Sequence, residues 1–155
     1  MYDLEILLLE HSPDLAIITE TWCNKETSMA VLNFNGYHID FKLRQDRTDT
    51  LNGIGGGLLV YLYDGLLIWP RNVANNFNQF LKFEVSSGDN NLNLNIKLVY
   101  RPPSSNDENT EELCKLLEST DTNSIIIGVF NFPKIDWKFQ TSDRKSFKKF
   151  WKRRK

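Results

Sequence analysis

The alternation of apolar and polar positions marks out a small set of elements. Residues 3–11, DLEILLLEH, carry apolar side chains at 4, 7 and 8, with Ile6 and Leu9 widening the stripe, and predict a mostly buried amphipathic helix. Ser12-Pro13 ends it, because proline disfavours helical geometry in the residue before it. Leu15–Thr19 is a continuous run rich in β-branched residues and reads as a buried strand. After a polar stretch over 23–36 and a turn at Asn35-Gly36, Tyr37–Phe41 alternates like a strand with one exposed face. A polar loop and Gly55-Gly56-Gly57 lead into an apolar strand at Leu58–Leu62. Leu92, Leu94 and Ile96 alternate with Asn93, Asn95 and Lys97 and run on into Leu98-Val99-Tyr100. Arg101–Ser105 is a proline-rich loop, Glu111–Leu117 a helix introduced by Asn109 and Thr110, and Ser124–Gly128 a further buried strand. Strands outnumber helices, and their mixture of continuous and alternating patterns predicts a layered α/β sandwich.

Charge changes this picture at one end. The net charge is -1, but residues 144–155, RKSFKKFWKRRK, hold eight of the 19 basic residues and no acidic one, leaving 11 basic against 20 acidic elsewhere. An acidic body with a basic tail does not suit a duplex-binding surface. The chain therefore divides into residues 1–140 and a basic segment, 141–155. In that segment Phe147, Phe150 and Trp151 interleave with cations, a pattern open to nucleic-acid binding, to a nuclear-localisation-type patch, or to no selected role. Cys23 and Cys114 are too few for a disulfide framework and share no metal-ligand spacing. No apolar run approaches the roughly 20 residues that span a bilayer, and no leader is visible, so a soluble intracellular protein is expected.

The chemistry-bearing candidates sit where strands end. Glu20 follows the first buried strand, at the carboxyl end where α/β proteins place ligands and hard cations, although a solvated glutamate is the commoner occupant of such a place. Tyr100 and Arg101 end another strand; a hydroxyl beside a guanidinium can bind phosphate, and equally can be a β-forming tyrosine before a rigid turn. Asn131 follows a third strand and alone is an ordinary turn former. The glycine run at 53–57 fits neither phosphate-loop pattern and precedes a strand, so a flexible hairpin connection is expected there.

Taken in order, Thr19-Glu20-Thr21-Trp22, Val99-Tyr100-Arg101-Pro102-Pro103-Ser104-Ser105 and Gly128-Val129-Phe130-Asn131-Phe132-Pro133-Lys134-Ile135-Asp136-Trp137 resemble the endonuclease/exonuclease/phosphatase (DNase I-like) superfamily, specifically the endonuclease domain of non-LTR retrotransposons. Gly36-Tyr37, Arg44-x-Asp46-Arg47 and the Gly-Gly-Gly-Leu-Leu-Val segment are similar to that family as well. The resemblance covers about residues 3–140. It implies a four-layer α/β sandwich with two mostly antiparallel sheets, a site at one edge, Mg²⁺ or Mn²⁺ as cofactor, DNA as partner and phosphodiester hydrolysis as activity. It further implies Glu20 as the metal ligand and Tyr100 and Asn131 as catalytic positions, with Arg101 beside the substrate phosphate.

The chain also departs from the family. The Gly-Asp-x-Asn motif carries aspartate where this chain has Val129, and valine can neither bind a cation nor orient a water. Asp136 lies in the segment that the family carries as a structural turn and does not replace it. The amino-terminal strand with its asparagine and the carboxyl-terminal Ser-Asp-His segment have no counterpart, and neither His11 nor His38 matches the family histidine. A sandwich incomplete at both ends is expected, without turnover. One electrostatic group is typically worth on the order of 10²–10³ in rate, and a general base roughly 10²–10⁴. The competing expectation is an active metal-dependent nuclease or phosphodiesterase, its ion held by Glu20 and a neighbour not identifiable in the sequence.

Overall fold

The computed structural model describes residues 2–47, 55–71, 77, 79–87, 92–119, 123–132, 135–136, 138–139 and 141–142. Residues 143–155, which hold the basic run, and Gly53 lie outside the described residues.

The first helix, α1 (Tyr2–His11), ends where Ser12 turns into left-handed backbone, φ 41°, and its N–H returns to the Leu8 carbonyl at 2.9 Å. Strand β1 (Leu15–Thr19) follows. A short helix, α2 (Met29–Leu32), is capped by the Ser28 hydroxyl, which accepts from the Ala30 N–H at 3.2 Å. Strand β2 (Tyr37–His38) is shorter than its alternation suggests, because the Asp40 carboxylate accepts from the Lys42 N–H and starts a 3₁₀ turn over Phe41–Leu43. Strands β3 (Arg44–Gln45) and β4 (Leu58–Tyr63) complete the first sheet, in which β4 pairs antiparallel with β1, β2 and β3.

The second sheet has the order β5-β6-β7-β8, built from β5 (Ile68–Pro70), β6 (Phe80–Ser87), β7 (Leu92–Tyr100) and β8 (Ser124–Val129). Its pairings are antiparallel except for β7 with β8, which run parallel and are joined by helix α3 (Asp107–Glu118). The expected helix thus begins earlier than Glu111: Asn106 is its cap, accepting from the Asn109 N–H at 2.8 Å, and Asp107 and Glu108 favour the positive first turn. Strands β5 and β6 are not among the expected elements, although Leu81, Phe83 and Val85 alternate with Lys82, Glu84 and Ser86. A small hairpin, β9 (Ile135–Asp136) with β10 (Thr141–Ser142), lies apart.

Three apolar layers separate four layers of structure. Leu58, Val60, Leu62, Phe83, Ile96, Leu98 and Tyr100 fill the space between the sheets. Leu8, Leu32, Leu59 and Tyr61 pack α1 and α2 on the outer face of the first sheet, and Leu113, Leu116, Val99 and Phe80 pack α3 on the second. The helix α1 departs from expectation here. Only Leu8 is buried and Leu4 half-buried, while Ile6, Leu7 and Leu9 are exposed, since a helix lying on a flat sheet contacts it through a narrow i, i+4 stripe. Among the described residues no helix is long and apolar enough to cross a membrane.

Candidate active site at one end of the sandwich

The ends of β1, β7 and β8 meet at one end of the sandwich, and the glycines before β4 join them. The Trp22 N–H donates to the Gly56 carbonyl at 3.0 Å. Gly56 lies against the Tyr100 ring: a Cβ added there would stand 3.0 Å from Tyr100 Cε1 and 2.7 Å from Arg47 Cδ. Gly57 lies so close to Thr21 that an added Cβ would overlap the threonine hydroxyl. Both glycines are buried with φ of 72° and 93°, so this segment is a packed joint between the sheets, not the flexible connection expected from its composition.

Two glutamines reinforce the joint from opposite sheets. Gln79 Oε1 accepts from the Gly57 N–H at 3.0 Å, and Gln45 Oε1 accepts from the Phe80 N–H at 2.7 Å. Buried backbone donors at unpaired strand ends require such acceptors. Neither glutamine carries a sequence signal, because nothing in a lone polar residue announces that it crosses between sheets. Arg44 and Asp46, which do match a family pattern, form a two-bonded pair, Nε to Oδ1 and Nη2 to Oδ2, each 2.8 Å. The same guanidinium donates to the Thr27 and Asn24 carbonyls and so fixes the loop after β1. The bond to Asp46 raises the Arg44 pKa further, and the charge is permanent.

Glu20 is exposed and has left-handed backbone, φ 57°, as does Trp22, φ 55°, a residue 61% exposed. Such backbone in a bulky residue is uncommon and marks places held by their surroundings. Here the holders are the Trp22–Gly56 bond and the Thr21 hydroxyl, which accepts from the Cys23 N–H at 3.3 Å.

The ends of β7 and β8 are closed. Tyr100 is buried in the inter-sheet layer. Arg101 is 0% exposed. Its Nη1 donates to the Asn131 carbonyl at 2.8 Å, its Nη2 to the Ser105 carbonyl at 3.2 Å and to the Thr110 hydroxyl at 3.1 Å, and the Phe132 ring lies 4.3 Å from its central carbon. Asn131, φ 43°, answers with its side chain, Nδ2 donating to the Arg101 carbonyl at 2.9 Å. The two residues thus clamp the strand ends to each other. Val129 sits directly beside Tyr100 in the parallel register, half-buried against the inter-sheet layer.

A hard divalent cation needs several oxygen ligands, usually one or two carboxylates with water and phosphate. Among the described residues no group of three or more His, Cys, Asp or Glu could hold a metal ion. Asp46 has both oxygens on Arg44, Asp136 caps a turn by accepting from the Lys138 and Phe139 N–H groups at 3.0 Å, and Val129 offers nothing. Glu20 alone does not fit a divalent-ion site.

No family model matches the sequence, and no curated protein matches it. Solved structures do. The endonuclease domain of TRAS1, a telomere-specific non-LTR retrotransposon, superposes with a TM-score of 0.61 at 12% identity, covering 97% of this chain and 62% of that one. The human Nocturnin catalytic domain, solved with bound sulfate anion, gives a TM-score of 0.53 at 15% identity, covering 84% of this chain and 57% of the other. The chain therefore spans less than two thirds of the length of either. With two mostly antiparallel sheets between helical layers, the chain has the endonuclease/exonuclease/phosphatase, or DNase I-like, fold.

Proposed function

We propose that the chain is an endonuclease/exonuclease/phosphatase-type domain, related to nucleases that act on DNA, which itself does not hydrolyse phosphodiesters. The observation that carries this reading is Val129 in register beside Tyr100. An isopropyl group stands where the family motif places a carboxylate, and it packs into the core instead of facing an ion or a water. Glu20 is the one residual metal-binding position, Tyr100 and Asn131 are residual catalytic positions, and Arg101 acts as a positioning residue, since its guanidinium is buried against carbonyls. Phosphoryl transfer depends on neutralising charge and activating a water, and a single exposed carboxylate supplies neither a metal cage nor a base.

The test is nicking of supercoiled plasmid DNA by the full chain with Mg²⁺ or Mn²⁺, with Glu20→Ala run in parallel. Wild type and variant are expected to match the protein-free blank. Nicking by the wild type that Glu20→Ala abolishes overturns the proposal.

A further inference from the structure

Sheets expose unpaired backbone at their edges, and proteins usually guard such edges with charge, proline or cover. Two of the edges here are guarded. The β5 edge carries Pro70 and is followed by Arg71, whose guanidinium pairs with Glu84 at 2.6 Å. The edge of the first sheet formed by β2 and β3 carries His38 and Arg44.

The β8 edge has no such guard. From Ser124 to Phe132 the sequence is SIIIGVFNF, without a charge or a proline. Among the described residues no strand pairs with its outer side. Its register sets Ile125 beside Ile96 and Ile127 beside Leu98, so both isoleucines belong to the inter-sheet face. Yet Ile125 is 44% and Ile127 38% exposed. The inter-sheet core simply runs out to solvent along this strand. Gln45 of β3 reaches β6, so β3 and β6 share one long side of the sandwich, while β1, also uncharged, and β8 share the other.

We propose that a second copy of this chain covers the β8 edge, by antiparallel pairing of β8 with its own counterpart about a two-fold axis at Ile126. A two-fold interface sets like against like, which is tolerable only where no charge would meet itself, and this strand meets that condition. The register about Ile126 sets Ile125 of each copy opposite Ile127 of the other, on the same face, so all four half-exposed isoleucines become cross-strand pairs. Moving the axis to Ile125 sets Ile127 opposite Asn123, and moving it to Ile127 sets Ile125 opposite Val129, so only the Ile126 register pairs every one of these isoleucines with an isoleucine. The two-fold stands perpendicular to the sheet, so the inter-sheet faces of both copies stay continuous and the α3 faces do too. The inference concerns assembly and does not rest on the proposed loss of catalysis.

Sedimentation of the full chain across micromolar concentrations tests this, beside Ile127→Lys, a substitution at an exposed position. Wild type is expected to dimerise and Ile127→Lys to weaken the dimer by about tenfold or more, since burying an isoleucine is worth at least a decade in affinity, with its far-UV circular dichroism unchanged. As a second measurement, Ile126→Cys is expected to give a disulfide-linked dimer on a non-reducing gel, the two-fold bringing identical Cβ atoms within bridging distance; the wild type, with only Cys23 and Cys114, is expected not to. A monomeric wild type overturns the proposal. So does a dimer, or a larger aggregate, that Ile127→Lys leaves unchanged.

Discussion

After β1 the chain leaves the sheet through Glu20 and Trp22, both exposed and both in left-handed backbone, with Trp22 held by its main-chain bond to Gly56. After β7 and β8 it leaves through Arg101 and Asn131, whose side chains bond to each other's carbonyls. All four residues stand at strand ends at the same end of the molecule. What separates them is where their hydrogen bonds go. A side chain whose donors already meet buried carbonyls is part of the scaffold, whereas one held by its backbone with its polar end in solvent is still available to a ligand. Position at a strand end therefore nominates a residue, and only its bonding state decides between the two roles.

The sharpest way to break this comparison is to remove the clamp. Arg101→Met keeps the length of the side chain and strips its donors, leaving the Asn131 and Ser105 carbonyls and the Thr110 hydroxyl without them. Each buried acceptor left unsatisfied typically costs about 1–3 kcal/mol, and Arg101→Lys is expected to recover little because a lysine lacks the fork. Urea titration reads this as a lower midpoint at unchanged slope. A loss below about 1 kcal/mol, the worth of a single ordinary hydrogen bond, would return Arg101 to the open class. Next in size is Gly128→Ala. Gly128 has φ 152°, and a Cβ there would overlap the Val99 carbonyl oxygen across the β7–β8 pair. Strain and overpacking together are expected to cost roughly 2–4 kcal/mol, measured as a fall in Tm.

These two residues also mark how far the sequence could be read. Gly128 and Asn131 belong to a motif, and the order of the three strand-end motifs was enough to anticipate the four layers, the two sheets and which ends come together. Strands that bury one face or both, such as Leu58–Tyr63 and Leu92–Tyr100, announce themselves through periodicity. The bonding of Arg101 does not, because an arginine after a strand looks the same in sequence whether it faces solvent or turns inward. The same holds for Gln45 and Gln79, whose partners lie 35 and 22 residues away along the chain. The extent of burial on α1 was not legible either, since an apolar stripe cannot say how wide a contact the opposing sheet offers.

A third experiment sharpens the other side of the comparison. The loop after β1 is secured from behind by Tyr61, whose hydroxyl donates to the Leu32 carbonyl at 2.9 Å. Burial, and then the nearby Cys23, push its pKa up to about 12 from the ordinary value near 10. The folded protein thus keeps this proton above the pH at which the unfolded chain releases it. Stability from this group is whole below pH 10 and falls as pH rises from about 10 towards 12, because the unfolded state then binds fewer protons than the folded one. Tyr61→Phe is expected to flatten that part of the alkaline stability profile relative to wild type. An unchanged alkaline slope would show that Tyr61 does not anchor the loop.

The smallest effect discriminates best, because it asks for opposite signs from one substitution. Glycine at position 20 removes a Cβ from left-handed backbone, a relief of about 1–2 kcal/mol, against roughly 0.5–1 kcal/mol of added chain entropy in the unfolded state. The Glu20 side chain is exposed to solvent, so Glu20→Gly is expected to stabilise slightly, by about 0.5–1 kcal/mol from the difference of those two. Glycine at position 131 gains the same relief at φ 43° but deletes the Nδ2 donor and leaves the Arg101 carbonyl without it. An unsatisfied buried acceptor costs about 1–3 kcal/mol, which outweighs the gain, and Asn131→Gly is expected to destabilise. Thermal melts of the two variants side by side decide the matter. If both rise, the Arg101–Asn131 clamp does not hold the end shut; if both fall, Glu20 has a partner within the fold and is not open to a ligand.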